Sequence, residues 1–155
     1  MKNPRLSTPL VLRAGAAPKL PVFGVDVEVL LDGSQTDGEM AVYRATAPAG
    51  SGAPPHRHAG QDEMFHVLAG AFDLDCDGVR QRLHPGDFAF VPRGASHAFT
   101  CVGPENGSVL IIGTPAGHEA FFRDVAGEIA TGTFTPERGA AICLRHGIEL
   151  VGAPA

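Results

Sequence analysis

Apolar and polar residues alternate with a period of two over much of the chain before Thr114. In residues 22–31, Val25, Val27 and Val29 are interleaved with Asp26 and Glu28, and the run ends at Asp32-Gly33, which predicts one strand. Residues 40–46 predict a second. Further strands are predicted at residues 63–69, 71–76, 79–83, 88–91, 97–102 and 109–112. They are separated by Ala-Gly, Asp77-Gly78, Pro85-Gly86 and Pro92-Arg-Gly94 turns. Many short strands joined by tight turns mean a barrel or a sandwich. After Thr114 the period changes: Ala120, Phe121, Val125, Glu128 and Ile129 have helical spacing over residues 118–130. A second helix is expected from Thr135 as N-cap, with Pro136 at its first position and Glu137 in its first turn, stopping at Gly147. Residues 148–151 either return as a short edge strand or dock on the outer face.

A chain of 155 residues is of single-domain size and long enough to bury a sizeable core. The Pro- and Ala-rich residues 1–20 lack periodicity and read as an arm, too short for a DNA-binding domain. A net charge of −5, with Lys and Arg scattered, argues against nucleic acid as the main partner. Arg80, Arg82 and Arg93 are read as solvated. Cys76, Cys101 and Cys143 are odd in number and widely spaced, which suits reduced thiols in a cytoplasm better than a disulfide framework. Leu10-Val-Leu12 is too short for a signal-peptide core, and no stretch approaches membrane-spanning length, so a cytoplasmic protein without a membrane partner is expected.

The chemistry is concentrated in two segments. His56 and His58 stand two apart in an extended stretch, so both rings leave one face, and after a four-residue turn Glu63 begins the returning strand opposite them. That is a metal-ligand geometry. The first segment reads Gly50-x5-His56-x-His58-x4-Glu63-x6-Gly70, and the second Gly86-x5-Pro92-x-Gly94-x2-His97. These resemble the two motifs of the cupins. The resemblance implies an all-β fold, a small antiparallel jelly-roll β-barrel with C-terminal helices packed outside. The barrel would span residues 21–115 and a helical extension of the same domain residues 116–155. It also implies that His56, His58, Glu63 and His97 bind one divalent transition metal. Cys101 stands where the family often has Asn, a position that does not ligate the metal.

Alternation sorts the neighbours of these residues. With Glu63 inward, Phe65 and Val67 are inward and Met64, His66 and Leu68 outward; with His97 inward, Phe99 and Cys101 follow. Phe65, Phe99 and Cys101 are therefore the candidate substrate-pocket residues. His66 is not expected to be a ligand, and His84, His118 and His146 are assigned to surface or capping roles.

Three neutral imidazoles and one carboxylate leave a divalent ion with net charge +1 and, in an octahedral shell, up to two open positions. Glu63, the only ligand carboxylate, is the candidate catalytic base. The Pro-Pro-His-x-His stretch, Glu63 to Gly70, Phe88 to Phe99 and Thr114-Pro-Ala-Gly117 resemble the quercetin 2,3-dioxygenase-like branch of small bacterial cupins. That resemblance spans residues 22–151. It implies dioxygenolytic cleavage of a flavonol or similar enolisable aromatic, with iron, manganese, nickel, cobalt or copper as metal. The alternative is a non-oxidative polyketide cyclase, isomerase or lyase with zinc as Lewis acid. A small-molecule binding cupin ranks below both. A homodimer is the expected assembly.

Overall fold

A computed structural model describes residues 5–152. Among these residues eleven strands form two antiparallel sheets, which make up the jelly-roll barrel. In chain order they are β1 (Lys19–Val22), β2 (Val25–Leu31), β3 (Ala41–Ala47), β4 (Gly52–His58), β5 (Asp62–Ala69), β6 (Ala71–Cys76), β7 (Val79–Leu83), β8 (Phe88–Val91), β9 (His97–Val102), β10 (Gly107–Thr114) and β11 (Ile148–Leu150). One sheet runs β1-β2-β3-β10-β5-β8 and the other β11-β4-β9-β6-β7. The barrel is covered by α1 (His118–Ala130) and α2 (Pro136–Arg145).

The period-two pattern translates directly into burial. Ala41, Tyr43, Ala45 and Ala47 of β3 face inward, as do Val109 and Ile111 of β10 and Glu63, Phe65 and Val67 of β5. Tyr43, Phe72, Val67 and Val91 are essentially sealed from solvent, and burial of an apolar side chain such as Phe72, Val67 or Val91 is worth roughly 1.5–3 kcal/mol. On the outer surface Leu68, Phe88 and Phe90 remain exposed.

One predicted strand is two. Residues 22–31 do not run straight: Phe23 and Gly24 both have positive φ and close a two-residue hairpin, with Val22 opposite Val25. The first strand therefore begins at Lys19, inside the segment read as an arm. The chain after α2 returns as an edge strand, with Ile148 paired to His58 and Leu150 to His56. Helix α1 is fixed at its start by the buried Glu119 carboxylate, which accepts hydrogen bonds from the Gly33 and Gly117 N–H groups at 3.0 and 2.8 Å. Thr135 caps α2 as expected. No helix among the described residues is long and apolar enough to cross a membrane.

Candidate metal centre

Strands β4, β5 and β9 bring four donors together. His56 and His58 share the inward face of β4, His97 opens β9 directly across from His56, and Glu63 is the first inward residue of β5. The four candidate ligand atoms lie within 4.8 Å of one another and all four residues are buried. The β4–β5 turn and the second motif are held in register by Arg93. Its guanidinium grips the Asp62 carboxylate at 2.7 and 3.1 Å and its backbone N–H donates to the same group. Asp62 is thereby held at about 2, below the usual carboxylate range. Arg93 is thus paired rather than simply solvated.

Hydrogen bonds set the tautomers. His56 Nδ1–H donates to the Pro54 carbonyl at 2.7 Å, so its Nε2 keeps a lone pair, while His97 Nδ1 stands 3.2 Å from the Ala95 carbonyl. His97 Nε2 stands 2.8 Å from Glu63 Oε2. Without a metal the pair is held by one proton, which Nε2–H donates to the carboxylate; a metal bound there would take that proton's place. His58 Nε2 is buried without a hydrogen-bond partner, 3.3 Å from the same Oε2 and off hydrogen-bonding geometry. A donor set of three imidazoles and one carboxylate, with an orphaned nitrogen among them, fits a divalent transition metal. The group could hold one such ion.

Burial pushes the His56 imidazolium down to about 4, helped by the neighbouring His97. Burial also opposes the charge of Glu63, but the His58 and His97 imidazoles outweigh it and hold the carboxyl well below its ordinary range.

His118 departs from its expected role. At the first turn of α1, it is not a surface or capping residue: its ring packs 4.5 Å from that of His58 and 4.7 Å from Phe122, and it lines the cavity above the cluster. Burial lowers its pKa to about 3, the Glu63 charge opposing the shift. His146 does cap α2, with Nε2 2.7 Å from Asp124, and His84 is exposed beside Asp87. Sequence reasoning also passed over Gln61 and Tyr43, whose hydroxyl is buried without a partner. The strand expected over residues 40–46 singled out no residue, and nothing in the pattern marked Gln61 or His118.

The cavity encloses about 90 Å³ between the sheets and the helices. Glu63 and His56 line it together with apolar groups that include Val27, Phe99, Ile111 and Phe121. Of the three expected pocket residues, Phe99 lines it. Phe65 and Cys101 do not: Phe65 packs beside the His97 ring deeper in the barrel, and Cys101 is fully buried with its thiol donating to the Glu105 carbonyl at 3.5 Å. The cavity shares Phe23, Gly52, Cys143 and Leu150 with an outer groove of about 640 Å³.

Two of the lowered histidine values give the metal-free protein a pH dependence. Above pH 6.5, their ordinary value, His56 and His118 are neutral whether folded or not. As pH falls from 6.5 toward 4, the unfolded chain takes up protons that the folded one refuses, so stability is lost on acidification. The slope is up to roughly 1.4 kcal/mol per pH unit for each group. Urea midpoints of metal-free protein at pH 7.5, 6 and 5 should fall in that order; equal midpoints would contradict both burials.

The cupin domain family matches residues 43–113. The quercetin 2,3-dioxygenase of Bacillus subtilis is 28% identical over 117 residues, 76% of this chain and 34% of that protein. The acireductone dioxygenase of Rhodopseudomonas palustris is 54% identical over 48 residues, 28% of either chain. The chain thus spans about a third of the length of these curated relatives. Among solved structures, KdgF from a Halomonas species superposes with a TM-score of 0.66 at 21% identity, over 73% of this chain and 99% of that one. The two-sheet barrel and its four converging donors agree with the cupin-domain match over residues 43–113.

Proposed function

We propose that this protein is a metal-dependent dioxygenase acting on a flavonol-like or other enolisable aromatic molecule. The observation that carries the reading is the buried four-donor cluster at the floor of an apolar cavity, and the dioxygenase relatives support it. A divalent transition metal held by His56, His58, Glu63 and His97 supplies Lewis acidity to a substrate oxygen and, when redox-active, electrons for dioxygen chemistry. Iron, manganese, nickel, cobalt and copper suit that role.

The rest is the work of the chain. Glu63 is the base that takes the substrate's hydroxyl proton. Val27, Phe99, Ile111 and Phe121 exclude water and hold one aromatic ring, while the remainder of the substrate extends past Phe23 and Cys143 into the outer groove.

The test is oxygen uptake with a flavonol and a panel of enolisable aromatics, using protein stripped and reloaded with each of these metals and with zinc. Uptake with a redox-active metal and none with zinc is the expected result. No uptake with any of them would sink the dioxygenase and leave the zinc Lewis-acid chemistry of a cyclase, isomerase or lyase.

A further inference from the structure

Beside the metal cluster sits a second polar device, built by residues outside the two motifs' ligand positions. Gln61, in the turn between His58 and Glu63, has its amide held at both ends. Its Nε2 donates to the Pro115 carbonyl at 2.6 Å, and because a carbonyl only accepts, the amide orientation is fixed. Gln61 Oε1 therefore faces His118 Nδ1 at 3.1 Å, and Nδ1 must carry the proton. His118 Nε2 is left with a free lone pair. It meets no protein partner among the described residues, and the ring lines the cavity.

Two further features hold this imidazole still. Its ring stacks on Tyr43 at 6.0 Å and packs against Phe121 and Phe122. Gly113, paired with Glu63 across β5 and β10, makes room for the arrangement: a Cβ there would stand 2.5 Å from the Tyr43 hydroxyl and 3.0 Å from Gln61 Nε2. Glu119 pins the helix start next door.

The geometry points to His118 as a substrate-binding hydrogen-bond acceptor, taking a hydroxyl of a ligand whose adjacent oxygen is held at the His56–Glu63 side of the cluster. The ligand class is then one with two neighbouring oxygens, at least one a hydroxyl: an enediol, an α-hydroxy enone or a catechol. This rests on the metal-site reading above, and not on whether the reaction consumes oxygen.

The experiment uses cobalt-loaded protein under nitrogen, with metal content measured first, and two probes: catechol and its monomethyl ether, 2-methoxyphenol. Binding is followed by the cobalt visible bands and by calorimetry, without turnover. In the wild type catechol binds more tightly than the ether. In His118→Ala that preference shrinks by roughly tenfold, the loss of one hydrogen bond. His118→Gln, which returns an acceptor near the Nε2 position, restores part of it. Equal weakening of both probes in His118→Ala, with no restoration by Gln, means a packing role and overturns the proposal. Protein that holds cobalt but shows no change in preference defeats this inference alone; protein that holds no cobalt defeats the metal-site reading with it.

Discussion

Alanine at His97 lowers metal affinity at least about 100-fold, since loss even of groups that only orient a metal ligand typically reaches that range. His97 faces His56 across β4 and β9, and its Nε2 makes the shortest contact to Glu63 in the cluster. Removing it leaves the buried carboxylate with only the 3.3 Å approach of His58. The metal-free variant should also lose roughly 1–3 kcal/mol, the penalty for leaving a buried polar group unsatisfied. In the wild type, metal at a thousand times its dissociation constant stabilises the fold by about 4 kcal/mol. For a domain of this size that is a rise of roughly 8–16 °C in Tm. The variant should show almost none of that rise. His66→Ala is the control: His66 lies on the outward face of β5, and its loss should leave the metal bound. Metal content after dialysis, with unfolding curves with and without metal, reads all of this. A His97→Ala protein that kept one equivalent and its stabilisation would falsify the four-donor site.

What the sequence made legible follows from how local each signal is. The turn at Asp77-Gly78 and the turn at Phe23-Gly24 have the same geometry, two successive residues at positive φ closing a hairpin. Asp-Gly announces such a turn because Asp tolerates that conformation; Phe does not, so Phe-Gly reads as part of a strand. Its ring is held by Phe121 and Phe134, contacts that exist only in the folded molecule.

The same distinction separates the ligands from the rest of the site. His56, His58 and Glu63 were legible because a strand, a short turn and a strand fix their relative placement, and alternation fixed which face they share. Alternation says which side chains point inward and nothing about depth. Phe65 and Cys101 do point inward, at levels where Phe72, Val67 and Leu74 already fill the space, so they pack instead of lining the cavity. His118 was illegible for another reason. It reaches His58 because α1 folds back over the barrel, and that docking depends on Glu119 meeting Gly33, 86 residues earlier in the chain.

Gly52→Ala should be the most destabilising single-carbon change near the site. A Cβ at Gly52 would stand 1.9 Å from the Phe99 carbonyl oxygen, 2.8 Å from its carbon and 2.9 Å from Thr100 Cα. All three are backbone atoms of β9, so no rotamer change relieves the overlap, and β4 must move away from β9. Overpacking of this kind costs roughly 3 kcal/mol, a drop of about 6–12 °C in Tm. The displaced strands are the two that carry His56, His58 and His97, so metal affinity should fall along with stability even though no ligand is touched. Gly60→Ala, in the turn between His58 and Glu63, is the matched comparison: its Cβ meets nothing within 4 Å and its backbone needs no positive φ, so Tm and metal content should stay close to wild type. A Gly52→Ala protein as stable as Gly60→Ala would mean that β4 and β9 can separate freely, and the close pairing that sets His56 against His97 would no longer explain how the site is held.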